Sequence, residues 1–333
     1  MITTLDVSEQ IQVVELAPSR SSLPLPTTDH RSPTTDLVCV GHIISEMIHF
    51  PYDVKGPFLG SPPAYCATAA ARQGTATGLV TKIGPDFPPG LLQPLRDAGV
   101  DLTGLLTGDR TTTTELIYDA QGHKEIRYPT KASPITAEDI PSSYHGCRMV
   151  YVCPMDLDVL PENLAGVAAL GRVSAVDLGG YGGVHMSRTT RAAVPSLIDL
   201  ACGTAEHFTI VKASDEDAAA IFGWDNPDEA ATRFLACGPA VVVITMGAKG
   251  ALVSTVEHRW HVPPLPGTVV DTTGGGDTFM AGFLSHYLRY ADPFEAARWG
   301  CATAIWVIEQ SGGVRPERMP THQQVQERVA SYR

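Results

Sequence analysis

The stretch from Val269 to Leu288, VVDTTGGGDTFMAGFLSHYL, places three glycines and an acid where a helix-like apolar run begins. Unpaired backbone N–H groups at a helix start bind anions, and Gly274, Gly275 and Gly276 let a phosphate approach without meeting a Cβ atom. An acid at such a site repels phosphate, so Asp277 needs a chemical task, such as taking a proton from an attacking hydroxyl. The alternative is structural, with Asp277 as a helix N-cap and the glycines as a flexible turn. No Walker A loop, clean GxGxxG turn or HRD and DFG set accompanies the motif.

These residues need a scaffold, and the pattern of the chain from Leu37 onward predicts one. Strand patterns such as LVCVGHI, MVYVC and AVVVITMG alternate with helix patterns such as PAYCATAAARQG, which ends at Gly74. This alternation predicts a mostly parallel sheet covered by helices on both faces, which is an α/β fold. Residues 111–128 break the rhythm with two extended segments around DAQG, which predicts a hairpin in a small lid. A further short strand is expected directly before the glycine turn.

Composition and charge limit the class of protein. The chain has 333 residues and a formal net charge of −12 without a basic stripe, which argues against nucleic-acid binding. Seven scattered cysteines without CxxC spacing indicate neither a disulfide framework nor a zinc ribbon and favour a reducing cytoplasm. Neither a signal peptide nor a membrane span is predicted. Residues 1–36 are predicted as a leader, rich in Pro, Ser and Thr from 18 to 35, and residues 37–333 as the folded domain.

The segment DTTGGGD, Asp271 to Asp277, resembles the DTxGAGD motif of the ribokinase/PfkB family of carbohydrate kinases. The resemblance extends from about Leu37 to about Val329 and implies a ribokinase-like three-layer α/β/α domain. In that family the last Asp is the general base, and the preceding glycine amides form an anion hole for the γ-phosphoryl group of ATP. The resemblance therefore implies that Asp277 is the base and that the three glycines form the hole. Gly275 stands where the family usually has Ala, which keeps the N–H donor but loosens the loop.

The same resemblance assigns the nucleotide side. TIVKASDEDAAAIFG resembles the NxxE segment of the family, in which Ser214 stands for the Asn and Asp217 for the Glu that organises Mg²⁺ through water. The equally weighted alternative is a helix start with Ser214 as its cap and acids facing the helix dipole. VVVITMGAKGALV and RWGCATAIWVIEQSGGV resemble segments that contact ATP and wall the adenine, which together with the motif implies these contacts: Thr245, Gly247, Gly250, Thr272, Cys301, Ala304 and Ile308. Plain glycine turns and core packing are the alternatives there.

The resemblance also raises the question of a further ion. In many relatives a monovalent cation lies behind the anion hole, bound partly by residues that match Asp271 and Thr273. K⁺ therefore joins ATP and Mg²⁺ as an expected cofactor.

The substrate side departs from the family pattern. LVCVGHIISEMIHF places Glu46 where the family has its substrate-binding Asp. LGSPPAYCATAAARQG keeps Gly60 of the GGxxxN segment but has Ser61 for the second Gly and Tyr65 for the Asn. These departures fall in the sugar pocket, where buried polar groups must match the hydroxyls they receive.

Other candidate pocket residues come from the lid and from the middle of the chain. The resemblance implies a lid from about 45–58 and 111–128, with Glu115 and Arg127 as pocket residues, although a β lid places polar groups there by chance as well. AVDLGGYGGVH resembles the DxN(x)R stretch of the family but keeps only Asp177. His123 and His185 have no HExxH or triad spacing and are interpreted as surface or pocket residues.

The sequence thus predicts an ATP-dependent kinase acting on a hydroxyl of a small sugar, cyclitol or nucleoside, and the Tyr65 pattern resembles a branch that includes inositol kinases. The resemblance also implies a homodimer through the lid and lid closure that excludes water. One rival is a catalytically silent sugar- or nucleotide-binding regulatory protein of the same fold, motivated by the altered pocket. A second rival, a dinucleotide-dependent oxidoreductase, is disfavoured because no acidic ribose partner follows a second strand.

Overall fold

The structure is a computed structural model that describes residues 13–15, 35–119 and 124–331. The predicted leader segment from 18 to 34 and His123 lie outside the described residues. Within these ranges the strands are β1 Val13–Glu15, β2 Leu37–Val40, β3 Ile44–Phe50, β4 Asp53–Gly60, β5 Thr77–Ile83, β6 Asp101–Thr107, β7 Thr113–Tyr118, β8 Lys124–Thr130, β9 Cys147–Val152, β10 Gly171–Asp177, β11 Ile210–Ser214, β12 Val241–Thr245, β13 Ala251–Ser254 and β14 His258–Val262. The helices are α1 Pro62–Arg72, α2 Gln93–Asp97, α3 Pro161–Ala168, α4 Arg188–Ala193, α5 Leu197–Ala205, α6 Asp215–Phe222, α7 Pro227–Ala236, α8 Gly275–Tyr290, α9 Pro293–Ile308 and α10 His322–Ala330. Over the same residues, no helix combines the length and apolar character needed to cross a membrane.

The larger sheet has ten strands, and its centre is parallel. Neighbouring strands from β12 through β11, β10, β9, β2 and β5 to β6 all pair in parallel. Beyond β12 the sheet continues antiparallel through β13 and β14 to β1. The predicted α/β fold class is confirmed. Strand β1, which lies inside the predicted leader, is an addition that the sequence pattern did not indicate.

Strand β2 shows why both faces of the large sheet are covered. Leu37 and Cys39 point into a core shared with α1, α8 and α9, whereas Val38 and Val40 point into a second core shared with α3 and α5. All four side chains are buried. A short run of consecutive apolar residues is typical of a parallel strand covered on both faces, because successive side chains point to opposite faces.

The second sheet is the predicted lid. Its four strands follow the order β4-β3-β7-β8, with β3 and β7 parallel and the two outer pairs antiparallel. The tip of the β3–β4 hairpin carries apolar side chains that are open to solvent: Phe50 is 41% exposed, Val54 53% and Tyr52 100%. Among the residues that the structure describes, the tip of the lid therefore presents apolar side chains to solvent.

A buried group of hydrogen bonds lies at the base of the lid, where the chain passes between the large sheet and the lid. His42, just before β3, places Nδ1 2.9 Å from Oγ1 of Thr112, just before β7. The same Oγ1 accepts a hydrogen bond from the backbone N–H of Ala132, just after β8. Asp158 accepts from the backbone N–H of His42 at 3.0 Å and lies 3.3 Å from its ring. Three lid strands are thus tied together at their base.

Two sequence expectations differ from the structure. Residues 263–274 form no strand before the glycine turn, and Val269 and Val270 are exposed. The prolines at 263, 264 and 266 interrupt the segment that leads to this run, because they have no backbone N–H for a sheet ladder. The N–H groups of Val270 and Asp271 both donate to the Ile308 carbonyl and so pair with no strand. Among the seven cysteines, for which no disulfide framework was predicted, Cys202 and Cys237 are paired in a disulfide that joins α5 to the end of α7.

Candidate active site

The glycine turn starts helix α8 with glycine as its cap. Gly274 is the N-cap residue, and Asp277 occupies the third helical position. Gly274 has a φ of 79°, which favours glycine, and a Cβ atom there would lie 2.4 Å from the Tyr65 ring. The alternative role of Asp277 as N-cap is therefore wrong, and its carboxylate has no capping task.

Backbone donors collect at this helix start. In the part of the chain that the structure describes, the N–H groups of Gly274, Gly276 and Asp277 have no acceptor. The N–H of Gly275 instead donates to the Thr272 carbonyl at 3.1 Å and closes the turn. One of the three predicted donors is thus already engaged, and the N–H of Asp277 adds a donor that the sequence analysis did not name. A Cβ atom on Gly276 would have no neighbour closer than the Lys212 Nζ at 3.6 Å, so the space before these donors is open.

A buried group of charges lies beside the turn. Lys212 Nζ is 2.9 Å from Asp177 Oδ2 and 3.8 Å from Asp217 Oδ2, and all three side chains are buried. The other Asp177 oxygen accepts from the Gly179 N–H at 2.8 Å. Burial lowers the pKa of Lys212, but the carboxylates of Asp177, Asp217 and Asp277 outweigh it and raise the pKa overall. Lys212 therefore places a lasting positive charge next to the anion site.

The charge state of Asp277 suits a proton acceptor. Burial raises the pKa of its carboxyl, against opposing effects of His185 and Lys212, and the carboxylates of Asp177 and Asp217 add to the rise. A carboxylate with a raised pKa holds a proton more strongly, so its basicity moves toward that required of a general base at neutral pH.

Ser214 and Asp217 form a reciprocal capping box at the start of α6. Ser214 Oγ accepts from the Asp217 N–H at 2.9 Å, and Asp217 Oδ2 accepts from the Ser214 N–H at 2.7 Å. Asp217 Oδ1 accepts from the Val184 N–H at 2.9 Å. Burial raises the pKa of Asp217, but Lys212, His185 and these backbone donors lower it overall. The capping alternative is thus present, and both Asp217 oxygens already accept from protein groups.

A metal ion would find few protein ligands here. Within the described ranges, no group of three or more His, Cys, Asp or Glu side chains converges on one point. Mg²⁺ keeps much of its water and binds phosphate oxygens together with one or two carboxylates. The buried Asp217 fits an indirect contribution through charge and water, as the sequence predicted, and that role stays a prediction.

The predicted nucleotide contacts after β12 lie at the carboxyl edge of the parallel strands. Thr245 pairs with Ser214 across β12 and β11, so both residues end neighbouring strands. Ligands of open α/β sheets bind at this edge. A Cβ atom on Gly247 would meet no atom within 4 Å, whereas one on Gly250 would lie 2.1 Å from the Val262 carbonyl oxygen. Gly247 thus borders open space, and Gly250 is required by packing.

The predicted adenine wall is mostly core. Cys301 is buried in the core beneath α8 and α9, and Ala304 packs against the same core. The Ile308 carbonyl accepts from the N–H groups of Val270 and Asp271 and so fixes the start of the motif. Thr272 is exposed. The core alternative therefore holds for Cys301, and an adenine contact by Ala304 stays a prediction.

On the acceptor side, the structure brings Glu46 and Gly60 together. Glu46 Oε2 accepts from Thr114 Oγ1 at 3.1 Å, and a Cβ atom on Gly60 would lie 3.4 Å from Glu46 Oε1. Ser61 follows with a φ of 94°, a conformation that side chains rarely adopt. Its buried Oγ has no hydrogen-bond partner among the described residues. A strained residue with an unsatisfied hydroxyl beside a carboxylate is typical of a binding site.

Tyr65 supports the turn from below. Its side chain is buried, packs against Gly274 and places its hydroxyl 3.5 Å from Arg318 Nη1. Burial raises the pKa of this hydroxyl well above its usual range. The predicted contact of Tyr65 with a substrate stays a prediction.

The structure does not bring Glu115 and Arg127 to Glu46. These two residues lie opposite each other on β7 and β8, and Arg127 is exposed and pairs with Glu125 at 3.2 Å. The neighbouring Thr114 is buried and points the other way, toward Glu46. Thr114 was not among the predicted site residues, nor was Tyr128, whose hydroxyl donates to the His185 carbonyl at 2.6 Å. Strand alternation was the available signal for both.

The residues expected to hold K⁺ do not fit that ion. The carbonyl oxygens of Asp271 and Thr273 accept from Arg318 Nη2 at 3.4 and 3.1 Å, and Asp271 Oδ2 lies 3.9 Å from the same nitrogen. Arg318 is 0% exposed. Arg318 was not predicted from the sequence, because nothing in GVRPERMP marks it as a partner of the glycine turn.

Comparisons with known proteins agree with this geometry. The sequence profile described as pfkB family carbohydrate kinase matches residues 35–320. A cytidine kinase of Thermococcus kodakarensis is 31% identical over 281 residues, which are 83% of this chain and 97% of that protein. Two solved structures share the fold alone. A putative ribokinase II of E. coli with ATP and Mg²⁺ has a TM-score of 0.72 at 19% identity, covering 90% of this chain and 100% of its own. A pyrophosphate-dependent myo-inositol-1 kinase variant has a TM-score of 0.73 at 17% identity, covering 89% and 98%.

The three kinds of observation agree: a helix start with open donors beside a free carboxylate, a ribokinase-like fold, and a profile match over most of the chain. This chain therefore belongs to the pfkB family of carbohydrate kinases, which are phosphotransferases acting on hydroxyl groups.

Proposed function

We propose that this protein transfers the γ-phosphoryl group of ATP to a hydroxyl of a nucleoside or related sugar. Asp277 is the general base, and the N–H groups of Gly274, Gly276 and Asp277 form the anion hole. The observation that carries this proposal is the start of α8, where open donors stand beside a carboxylate that caps nothing and has a raised pKa.

The residues divide the reaction between them. Asp277 accepts the proton of the acceptor hydroxyl. The oxygen of that hydroxyl forms the new bond to the γ-phosphorus, while the bond from this phosphorus to the oxygen of the leaving diphosphate breaks. The three N–H donors and the Lys212 ammonium stabilise the negative charge of the transferred group. Mg²⁺, when bound, would supply further charge neutralisation for the phosphates, and Asp217 would act on it through water.

Two observations support a nucleoside or sugar as acceptor. The cytidine kinase relative matches over 97% of its own length, which supports a pocket of similar construction. Glu46 and the unsatisfied Ser61 hydroxyl offer an acceptor and a donor for two hydroxyl groups of a furanose. The silent regulatory alternative is not favoured, because the base and the open donors are all present.

A kinase assay with a matched variant tests this proposal. ADP release from Mg-ATP is measured against cytidine, uridine, adenosine, ribose, fructose and myo-inositol. We expect a nucleoside to give the highest kcat/KM, and Asp277→Asn to lower kcat by about 10²–10⁴-fold because the proton acceptor is lost. Asp199→Asn is the control, since Asp199 also lies in the first turn of a helix but on the exposed side of α5.

Two results would contradict the proposal. Unchanged turnover in Asp277→Asn excludes that residue as the base. ATP binding without phosphoryl transfer to any acceptor of the panel favours the regulatory alternative. Highest activity with myo-inositol would instead move the acceptor class to cyclitols and leave the transfer mechanism intact.

We further propose a homodimer that forms through the lid. The exposed side chains of Phe50, Tyr52 and Val54 at the β3–β4 tip support it, since apolar groups on one exposed hairpin gain from mutual burial.

A further inference from the structure

Arg318 is a charged side chain with no exposed surface and with six backbone carbonyls around it. Nε donates to the carbonyls of Val307 at 3.0 Å and Gln310 at 3.1 Å. Nη1 donates to Gly312 at 2.9 Å and to Gly313 at 3.4 Å. Nη2 donates to Asp271 and Thr273 in the glycine motif. The guanidinium thus joins the end of α9 and the loop after it to the turn that carries the donors of the anion site.

A ring of carbonyl oxygens is the environment that replaces the water shell of a desolvated cation. Here the cation is covalently part of the chain. A guanidinium cannot be deprotonated in a protein, and its five N–H groups point outward in a fixed plane. Each of the three guanidinium nitrogens donates to two of the six backbone carbonyls, which together form a cage around the side chain. The charge is therefore buried without an unsatisfied nitrogen.

The cage reaches the anion site through two short paths. Thr273, whose carbonyl accepts from Arg318, directly precedes Gly274, and its N–H is held by Asp271 Oδ1 at 3.0 Å. The second path runs through Tyr65, whose ring centre lies 5.9 Å from the guanidinium carbon and whose edge packs against Gly274. A substitution of Arg318 is therefore expected to move Gly274, the first of the residues whose N–H groups form the proposed anion hole.

We infer that Arg318 is a resident cation that occupies the position behind the anion hole and positions the glycine turn, so that phosphoryl transfer needs no monovalent metal ion. This inference rests on the proposed role of the turn as the anion hole. Arg318 acts as a positioning residue, because it touches the carbonyls that shape the turn and no reacting atom.

The first test uses the unaltered protein. Turnover is measured in KCl, NaCl and choline chloride at equal ionic strength, and we expect the three rates to agree within about twofold, because the cage already holds a charge. The melting temperature is followed in the same salts and is expected to stay the same. Activation by K⁺ of about fivefold or more would overturn the inference, since a filled cage has no place for the ion.

The second test empties the cage with Arg318→Ala. In choline chloride we expect kcat to fall at least about tenfold, with a smaller change in KM for the acceptor, because the donors are misplaced for the transition state. KCl should restore part of kcat and should raise the melting temperature of the variant, but not of the unaltered protein. Arg315→Ala is the matched control, because Arg315 lies in the same loop but is exposed, and within the described residues its side chain donates to the Ser311 carbonyl alone.

The readouts separate the possible failures. Arg318→Ala with unchanged kcat, or with the same kcat and melting temperature in KCl and choline chloride, would overturn the inference. If Arg318→Ala does not fold, Arg318→Lys keeps a charge in the cage, and a folded, slower variant that K⁺ does not activate supports the inference, whereas K⁺ activation of it opposes it. The salt dependence of melting is independent of any acceptor, so it tests the cage even if the proposed kinase reaction is not found.

Discussion

The glycine turn and the lid, which the proposed function assigns to one active site, are built in opposite ways. The turn lies between two buried cations, Arg318 behind it and Lys212 beside it, each held by several oxygen acceptors. The lid tip carries Tyr52 fully in solvent, whereas the base of the lid is joined to the rest of the chain by the buried group around His42. The difference is that the turn is fixed by buried charges, whereas the lid is buried only at its base and open to solvent at its tip.

Lys212→Met removes the buried cation beside the glycine turn and has the largest expected effect on stability. We expect the free energy of unfolding to fall by roughly 3–5 kcal/mol, because Asp177 and Asp217 lose the charge that compensates them. Urea unfolding at neutral pH measures the change. Lys55→Met on the lid is the control, since Lys55 and Asp53 are mostly exposed and their pair contributes little. Equal losses in the two variants would contradict the distinction between the regions.

Gly276→Ala separates chemistry from stability within the turn. The new methyl group fills the space before the open donors, so we expect kcat to fall about 10²-fold. Stability should rise slightly, by up to about 1 kcal/mol, because alanine favours a helix more than glycine does. Gly203→Ala in α5, where a Cβ atom also meets no close neighbour, should give the same gain without loss of activity. Full activity of Gly276→Ala would mean that no phosphate approaches this turn.

Ser61→Gly tests whether the strained residue beside Gly60 belongs to the proposed acceptor pocket. Glycine accepts the φ of 94° without strain, so we expect a gain of about 1 kcal/mol in the free energy of unfolding. The KM for the acceptor should rise, because the Ser61 hydroxyl is lost from the pocket. Ala291→Gly is the control, since Ala291 also has a positive φ, of 52°, but ends α8 away from the pocket. An unchanged KM in Ser61→Gly would remove this residue from the substrate site.

The raised pKa of Asp277 predicts that the base destabilises the fold. A carboxyl whose folded-state pKa is raised stabilises the fold when protonated, and this contribution is lost as the pH rises through the folded pKa. Asp277→Asn should therefore be more stable than the unaltered protein at pH 7. The difference should shrink as the pH falls toward the ordinary carboxyl pKa of 3.8. Thermal unfolding from pH 4 to pH 7 measures it, and a less stable variant at pH 7 would contradict the assignment.

The smallest effect on stability is expected at the lid tip. Tyr52→Asp should leave the free energy of unfolding unchanged, because the side chain is fully exposed. It should nevertheless shift the sedimentation coefficient from dimer to monomer by placing a charge in the proposed contact. Tyr290→Asp, which is exposed at the end of α8, is the control and should not alter assembly. A monomeric unaltered protein would refute the dimer.

The sequence predicted the parts of this molecule that depend on local pattern. The run LVCV indicated a buried strand, and the glycine motif indicated a helix start, and both are present. The role of that helix start in binding an anion stays a prediction. The prolines at 263, 264 and 266 were a readable signal against a strand before the motif. The local sequence pattern therefore already indicated that no strand precedes the glycine motif.

The residues whose positions the sequence did not predict are placed by strand register and by contacts between distant parts of the chain. Glu115 and Arg127 follow an irregularity in the pairing of β7 with β8 between Thr113 and Glu115, and such a shift decides which face a side chain takes. Arg318 acts on residues 45 and 47 positions earlier in the chain and on Tyr65, 253 positions away. No spacing rule connects positions that only the folded chain brings together.

The short strand β1 has a practical consequence for handling the protein. Val13, Val14 and Glu15 pair with Trp260, Arg259 and His258, so β1 covers the outer edge of β14. An uncovered strand edge is a template for pairing with another copy. A chain shortened to begin at residue 35, where the family match begins, would keep the glycine motif but bare this edge. Such a shortened enzyme should aggregate at high concentration while each folded molecule keeps its catalytic machinery.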